Sequence, residues 1–503
     1  MSDIAPASTL NRRGFLLGAS AAGLAATALP PTRAPAQEAA ASLPATAWDE
    51  LAKALTGGTL VRPGNPDYLG LSAPYNLAYP TPLPAGIARC VSRENVQGAI
   101  KWCRKFGVQP TARSGGHSYA GFSMTDGLII DTRGIAGVVR KPDTSLVEIR
   151  GGALNGDLYK ALSGTNLAIT HGRCPSVGAA GFLLGGGIGF NMRAHGVAVD
   201  QLEATELVTA DGEFVHASRT ENQALFWACR GGGGGNFGIN TGFVVRAYEI
   251  KPVVLFEITW AFNGPDPLAV ASAVMARFTD APDALGSRLS MAARRPGGAA
   301  DQTSIDLLGQ FAGSEAELRH LLAPAFALGP RKSERIQKLS YWDAQTALEE
   351  NDPPLRFRER SAFLAHRLDD AALRTASRFL RAWPGTRGGQ ADLRFFQTGG
   401  AINRPKEPTA FVHRDSKWLL DIGLTWGASD SPQRIDENIA WQNAFYAAML
   451  PFSTGGAYQN FIDPSEYNWA EAYYGSALKT LREVKRKVDP ANVFHFPQSI
   501  PLA

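Results

Sequence analysis

Three segments rich in glycine and other small residues carry candidate ligand-binding groups. Residues 113–119 (RSGGHSY) place His117 in a Gly/Ser turn, whose successive N–H groups can bind phosphate oxygens. Residues 172–181 (GRCPSVGAAG) carry Cys174, and small residues there allow backbone to pack against a large planar ligand. Residues 229–239 (CRGGGGGNFGI) contain a glycine run that costs conformational entropy, which indicates backbone pressed against a bound group.

Each run also has a purely structural interpretation. The first is compatible with a tight hairpin carrying a solvated histidine, the second with a closely packed helix and loop, and the third with a flexible surface loop. Residues 185–189 (GGGIG) are not a Rossmann fingerprint, because they do not open a βαβ unit with an acidic residue about 20 positions further on. Taken singly, none of the runs identifies a ligand.

The elements around these runs predict an α+β fold. Ser92 is expected to cap a helix that follows a strand at residues 87–91, with Val96 and Ile100 on its apolar face. Further short strands are predicted at residues 108–112, 128–130, 138–139 and 146–149. From residue 253 the glycine clusters stop, and alternating segments (255–260, 416–426) are interspersed with helical ones (315–328, 369–383). We therefore predict a first domain at 37–252, a second at 253–454 and a C-terminal segment at 455–503.

Composition excludes several classes of protein. The 503 residues carry a net charge of +4 without a long basic run, so neither nucleic acid nor an anionic membrane is expected as the main partner. The four cysteines (Cys90, Cys103, Cys174, Cys229) form no disulfide framework and, like the histidines, lack metal-ligand spacing, so no metal is expected. Cys90 and Cys103 are either bridged or, as we prefer, small buried hydrophobic residues.

The N-terminus predicts export. Arg12 and Arg13 precede a short apolar, Ala-rich stretch, and residues 34–36 (APA) form a cleavage signal, a pattern typical of a twin-arginine signal peptide at 1–36. A disordered Ala-rich tail is the alternative. The signal implies the twin-arginine export machinery as a partner, a periplasmic or secreted location and a cofactor inserted before export. No stable membrane insertion is expected, because the apolar stretch is short for a span of about 20 residues.

In this order and together, the three runs resemble the berberine bridge enzyme-like FAD-linked oxidases of the vanillyl-alcohol-oxidase and PCMH flavoprotein superfamily. The resemblance covers residues 85–250 and resumes in residues 410–414 (AFVHR), 473–475 (YYG), 489–494 (DPANVF) and 498–501 (QSIP). It implies a PCMH-type FAD-binding domain of two α+β subdomains, and a substrate domain with an antiparallel sheet covered by helices.

The resemblance also assigns cofactor residues. His117 matches the histidine that bonds to the flavin 8α-methyl, and Cys174 matches the cysteine that bonds to flavin C6, which implies bicovalent FAD. Val177 matches a position that controls oxygen access and is typical of an oxidase. The other residues implied in FAD binding are Arg113, Ser114, Gly115, Gly116, Ser118, Gly178, Gly181, Gly187, Asn236, Gly238, Ile239, Tyr474 and Asn492. The sequence departs from the family pattern at Val412, Ala477 and Thr480.

Catalysis requires a base, and two candidates match the family. Tyr458, in a Tyr-x-Asn context, resembles the tyrosine base of alcohol-oxidising relatives, and Asp421 falls where relatives carry Glu or Gln on a strand facing the flavin. A core tyrosine and a solvent-facing carboxylate are the alternatives.

The resemblance therefore implies an FAD-dependent oxidase. It would transfer hydride from a C–OH or C–N substrate to flavin N5 and reduce O₂ to H₂O₂. An oligosaccharide or a secondary-metabolite alcohol is the preferred substrate. A dehydrogenase with another acceptor, a flavin-binding protein without turnover and a structural envelope protein remain open, and the sequence does not define the oligomeric state.

Overall fold

The computed structural model describes residues 43–261, 266–294 and 302–503. The predicted signal peptide at 1–36 lies outside these residues, so export and location stay predictions.

The first layer is a four-stranded sheet in the order β1-β2-β4-β3, in which β4 pairs in parallel with both β2 and β3. Its elements are α1 (Ala45–Ala54), β1 (Thr59–Val61), α2 (Tyr68–Ser72), β2 (Gly86–Arg89), α3 (Arg93–Phe106), β3 (Pro110–Arg113) and β4 (Leu128–Asp131). As predicted, Ser92 caps α3 by accepting a hydrogen bond from the Asn95 N–H, and Gly107 ends the helix at a φ of 66°. Strand β3 of this sheet ends at Arg113, where the histidine-bearing run (residues 113–119) begins.

The second layer is a five-stranded antiparallel sheet in the order β5-β6-β10-β8-β9. Its strands are β5 (Val138–Arg140), β6 (Leu146–Arg150), β8 (Leu202–Val208), β9 (Phe214–Ser218) and β10 (Ile239–Arg246), while β7 (Leu167–Ala168) pairs with β11 (Tyr248–Glu249). The helices of this part are α4 (Asn155–Leu162), α5 (Ala179–Leu184), α6 (Met192–His195) and α7 (Gln223–Ala228). The cysteine-bearing run leads into α5, and the glycine run joins α7 to β10.

The third layer is a seven-stranded antiparallel sheet in the order β15-β12-β14-β13-β17-β18-β16. Its strands are β12 (Val253–Ala261), β13 (Leu285–Arg294), β14 (Gln302–Phe311), β15 (Ser333–Leu339), β16 (Arg356–Leu364), β17 (Ala391–Gln397) and β18 (Trp418–Trp426). The helices are α8 (Pro267–Phe278), α9 (Glu315–Phe326), α10 (Tyr341–Ala347), α11 (Asp370–Arg381) and α12 (Pro432–Met449). The alternation predicted from residue 253 onward is thus an antiparallel sheet with helices.

The two faces of this sheet differ in polarity. Leu289, Leu393 and Ile422 belong to one apolar core together with residues of α8, α11 and α12. The alternate positions of the same strands include the charged side chains of this sheet that matter for the site, and Arg394 on β17 lies directly opposite Asp421 on β18. Because successive side chains of a strand point to opposite faces, the helices cover the apolar face and the polar face meets the first two layers.

The C-terminal segment returns to the first two layers through α13 (Trp469–Tyr474) and α14 (Leu478–Val488). Leu481 packs in the same core as Phe226 and Phe237. The Lys485 ammonium is fully buried and donates to Asp489 Oδ2 (2.7 Å), Asn236 O (2.7 Å) and Phe494 O (2.6 Å). One lysine thereby joins α14 to the end of the glycine run.

The four cysteines are all free in the part of the chain that the structure describes. Cys90 and Cys103, the latter on α3, lie buried in the same core. Among residues 43–261, 266–294 and 302–503, no helix combines the length and apolar character needed to cross a membrane.

The Lys485 contact predicts a large stability effect. Lys485→Met leaves the buried Asp489 carboxylate without its cation, so the free energy of unfolding should fall by about 3 kcal/mol, which urea denaturation would measure. Lys479→Met, an exposed change on the same helix, is the control and should shift it by less than about 0.5 kcal/mol. Equal stability of the two variants would contradict the role given to Lys485.

Candidate functional site

The three small-residue runs meet at one cavity of about 370 Å³ between the glycine-rich layers and the polar face of the seven-stranded sheet. Backbone of all three runs lines it, through Gly115 and Gly116, through Gly178 and Gly181, and through residues 233–236. The sheet contributes Arg288, Arg394 and Phe396. Runs far apart in sequence therefore form a single site.

The first two runs contact each other through backbone. A Cβ atom on Gly115 would lie 2.3 Å from Gly178 N and 2.7 Å from Ser176 O. A Cβ on Gly178 would in turn lie 2.4 Å from Gly115 N. No side chain fits at either position without moving a main chain, which explains the glycine at both.

This contact places His117 and Cys174 side by side. The Ser176 hydroxyl lies 2.9 Å from His117 Nε2 and 3.3 Å from Cys174 Sγ, so it bridges the imidazole and the thiol. The Tyr75 ring stacks on the imidazole with 3.7 Å between centroids. Burial lowers the pKa of His117 to about 4, so its imidazole is neutral at ordinary pH.

The third run is held from outside the cavity. Gly233 and Gly235 adopt φ values of 82° and 72°, which only glycine adopts without strain. Asn236 fixes the end of the run, because its side chain donates to Gly232 O (2.9 Å) and accepts from Ile500 N–H (2.9 Å), while its carbonyl accepts from Lys485. The backbone that faces the cavity is thus rigidly positioned by the C-terminal segment.

The cavity fits a flavin dinucleotide. Part of its lining is glycine backbone from the three runs, which suits a planar ring and a pyrophosphate. Buried polar atoms beside it, among them Ser114 Oγ and Gln459 Oε1, lack a hydrogen-bond partner within the described chain, and a bound group with its own donors and acceptors would satisfy them. In the same described residues, no group of three or more His, Cys, Asp or Glu side chains could hold a metal ion.

Tyr458 also lines the cavity and is positioned through its hydroxyl. The phenol oxygen accepts hydrogen bonds from Gly187 N–H (3.0 Å) and Asn460 Nδ2 (3.0 Å). Burial raises the pKa of Tyr458 to about 12, while these donors and the Ile188 N–H act to lower it. A phenol oxygen that receives such donors is prepared to carry negative charge.

Asp421 does not reach the cavity, contrary to the sequence-based expectation that it faces the flavin. Its side chain is fully buried, and Arg394 Nη1 lies 3.3 Å from its Oδ2. Both residues point from the same face of paired strands, and the longer arginine lines the cavity in front of the carboxylate. Burial raises the pKa of Asp421 and that of neighbouring Glu359. Asp421 therefore supports Arg394 and lies outside the reacting space.

Most other predicted cofactor residues line the cavity: Arg113, Ser114, Gly115, Gly116, Ser118, Val177, Gly178, Gly181, Asn236, Gly238, Ile239 and Tyr474. Arg113 contributes as a brace, because its guanidinium donates to the carbonyls of Leu71, Ser72 and Ser123.

Two predicted cofactor residues do not line the cavity. Gly187 lies behind Tyr458 and contributes the N–H described above. Asn492 turns the chain after α14 at a φ of 52°, and its neighbours Phe494 and Phe496 reach the cavity instead.

Sequence reasoning missed several residues of the site. Tyr75 and Ser176 contact His117, and Gln459 donates to Gly185 O (3.0 Å) and to Gly231 O. Gln459 directly follows Tyr458, and this position was the sequence signal that could have identified it as a site residue. Arg288 and Glu350 carry no motif. The register of β13 brings Arg288 to the cavity, and Glu350 reaches it from the loop between α10 and β16.

Comparison with known proteins identifies the family. Residues 84–218 match the family described as FAD binding domain, and residues 457–501 match that described as berberine and berberine like. The chain is 32% identical to the uncharacterized FAD-linked oxidoreductase YgaK of Bacillus subtilis, over 88% of this chain and 97% of that protein. It is 28% identical to a xylooligosaccharide oxidase of Thermothelomyces thermophilus, over 86% of this chain and 90% of that protein.

A solved structure agrees with these matches. Wild-type BBE-like 1 of Physcomitrella patens has a TM-score of 0.80 at 26% identity, covering 91% of this chain and 99% of that one. The chain therefore belongs to the berberine bridge enzyme-like FAD-linked oxidoreductases. At the level of the family, the predicted α+β fold, the class of FAD-dependent oxidase and FAD as the cofactor are confirmed.

The Gly115–Gly178 contact predicts that one substitution lowers both the stability and the flavin content of the protein. Gly115→Ala must push the two runs apart, so the free energy of unfolding should fall by about 1–3 kcal/mol and less flavin should copurify. Thermal unfolding and the flavin-to-protein absorbance ratio measure the two effects. Gly70→Ala, on α2 with open space around the added methyl, is the control: its flavin content should stay unchanged and its free energy of unfolding should not fall. Full flavin content in the Gly115→Ala variant would rule out this contact as a requirement for the site.

Proposed function

We propose that the protein oxidises an alcohol carbon of a carbohydrate and passes the two electrons to O₂, which yields H₂O₂. The bound FAD would supply the two-electron acceptor. Xylooligosaccharide and glucooligosaccharide oxidases among the relatives support this substrate class. The observation that carries the proposal is the buried Tyr458 hydroxyl, which lies in the same cavity as His117 and Cys174.

In this proposal Tyr458 is the general base. Oxidation of an alcohol requires loss of the hydroxyl proton, and the phenolate oxygen of Tyr458 accepts it. The Gly187 N–H and the Asn460 amide stabilise that phenolate, since both donate to the same oxygen. The raised pKa of Tyr458 means that the active phenolate becomes more abundant as the pH rises toward 12.

We further propose that His117 and Cys174 both attach the cofactor. The neutral imidazole and the partly exposed thiol are nucleophiles that line one cavity, and Ser176 holds them at a fixed separation. Val177, in the same lining, presents a small side chain that leaves room for O₂. A dehydrogenase using another acceptor is distinguished by an oxygen electrode: it would consume substrate without oxygen uptake.

The N-terminal residues support a proposal about location. The Arg12-Arg13 pair and residues 34–36 favour twin-arginine export to the periplasm or outside the cell.

Covalent attachment is tested by acid precipitation of the purified holoenzyme. The yellow colour should stay in the pellet for the wild type and for His117→Ala and Cys174→Ala alone, because one bond suffices to retain flavin. The double variant should release flavin into the supernatant. A colourless wild-type pellet would refute attachment, and a His117→Ala variant that releases all its flavin would remove the Cys174 bond.

The role of Tyr458 is tested by anaerobic flavin reduction in a stopped-flow instrument. Tyr458→Phe should slow reduction by about 100-fold or more, because it removes the proton acceptor. In the wild type the rate should rise with pH, since the pKa of Tyr458 lies above neutrality. Asp421→Asn, a change behind Arg394, should slow reduction far less than Tyr458→Phe does. A rate unchanged in Tyr458→Phe would exclude the tyrosine from catalysis.

A further inference from the structure

Four charged side chains form one wall of the cavity, which we call the arginine wall: Arg173, Arg288, Glu350 and Arg394. Arg173 directly precedes Cys174, while Arg288 and Arg394 extend from the polar face of the seven-stranded sheet. Tyr458 lines the same cavity. A molecule that enters to react therefore meets three guanidinium groups and one carboxylate on this wall.

Glu350 is shared between two of these arginines. Arg173 Nη2 and Arg288 Nη1 (2.8 Å) both donate to its Oε1. Burial alone would raise the pKa of Glu350, but the charges of Arg173, Arg288 and Arg394 lower it to about 2. The Glu350 side chain is therefore an ionised carboxylate at neutral pH. Its single negative charge faces the two positive charges of Arg173 and Arg288.

Arg394 is compensated from behind the wall. Its Nε donates to Asp392 (2.6 Å), its Nη2 donates to Glu359 (2.8 Å), and its Nη1 lies 3.3 Å from Asp421. All three of its nitrogens thus have acidic partners within the protein. The excess positive charge of the wall belongs to the pair formed by Arg173 and Arg288.

Arg288 has unused donors. A guanidinium offers five N–H groups, and the hydrogen bond to Glu350 is the one Arg288 makes within the described residues. Its Nε is buried without a partner there, and its side chain is 16% exposed, into the cavity it lines. Arg173, in contrast, also donates from Nη1 to Leu348 O (3.0 Å). Burying a cation without partners is unfavourable, so Arg288 is the group that a ligand anion would satisfy.

We propose that Arg288 binds a carboxylate of the substrate, and that the enzyme oxidises an acidic saccharide, one that carries a uronic acid, in preference to a neutral one. The planar guanidinium fork matches a carboxylate, and the charge-assisted bonds are stronger than those to a sugar hydroxyl. A neutral sugar would leave the excess charge on Arg173 and Arg288 uncompensated. This inference rests on the proposed oxidation of a carbohydrate and adds the charge of its substrate.

The test compares two ligands that differ only at C6, methyl β-glucuronide and methyl β-glucoside. Isothermal titration calorimetry on the anaerobic holoenzyme at neutral pH measures binding without O₂-dependent turnover. The glucuronide should bind about tenfold or more tightly than the glucoside, as expected for a hydrogen-bonded charge pair. That preference should disappear in Arg288→Gln and persist in part in Arg288→Lys, which keeps the charge.

Arg335→Gln is the matched control, since Arg335 is an exposed arginine on β15 of the same sheet and pairs with Glu257 away from the cavity. It should leave the preference unchanged. Equal affinities in the wild type, a preference that survives in Arg288→Gln, or no binding of either glycoside would each overturn the proposal. So would a changed flavin absorbance spectrum in Arg288→Gln with unchanged glucuronide binding, because the arginine would then serve the cofactor.

Failure of this proposal is distinguishable from failure of the proposed function. Oxygen uptake with free glucose and free glucuronic acid reports on carbohydrate oxidation itself. Uptake with the neutral sugar at equal or greater efficiency would retain the oxidase and reject the carboxylate subsite. Absence of uptake with both sugars, together with tight glucuronide binding, would retain the subsite and reject the proposed oxidation.

Discussion

The close packing of backbone at Gly115 and Gly178 is the constraint on which the site depends. Because no Cβ fits at either position, the strand-ending run of the first sheet and the loop before α5 approach within main-chain contact distance. That approach sets the separation of His117 and Cys174 and allows one hydroxyl, that of Ser176, to reach both. The nucleophile pair is therefore a property of two distant loops and not of either alone.

Different interactions hold the other walls of the cavity in place. Lys485 holds the glycine run through the Asn236 carbonyl, so the C-terminal segment fixes the backbone that faces the cofactor cavity. The seven-stranded sheet supplies a further wall: its apolar residues pack on its helices, and its charged residues Arg288 and Arg394 line the cavity. Several buried polar atoms that border the cavity lack a hydrogen-bond partner within the described residues, among them Ser114 Oγ, Gln459 Oε1 and Arg288 Nε.

Sequence motifs located the cofactor end of the site better than the substrate end. Serine at a helix cap imposes a local requirement, so the Ser92 cap was predictable from neighbouring residues, while the family resemblance assigned Gly115 and Gly178 to the cofactor site. Asp421 was misplaced for the opposite reason: strand alternation shows which face it occupies but not that Arg394 covers it from the adjacent strand. The side chains of Arg288 and Glu350 form a hydrogen bond although they are 62 residues apart in sequence, and no local pattern encodes such a contact.

A crystal structure of the purified holoenzyme tests the central claim most directly, namely that the three glycine-rich runs and Tyr458 surround one flavin. The account predicts flavin density in this cavity that is continuous with the His117 and Cys174 side chains, with the Tyr458 hydroxyl facing the ring and still bonded to Gly187 N–H and Asn460. Flavin density elsewhere, or a flavin in the cavity with the Tyr458 hydroxyl turned away from it, would contradict the account.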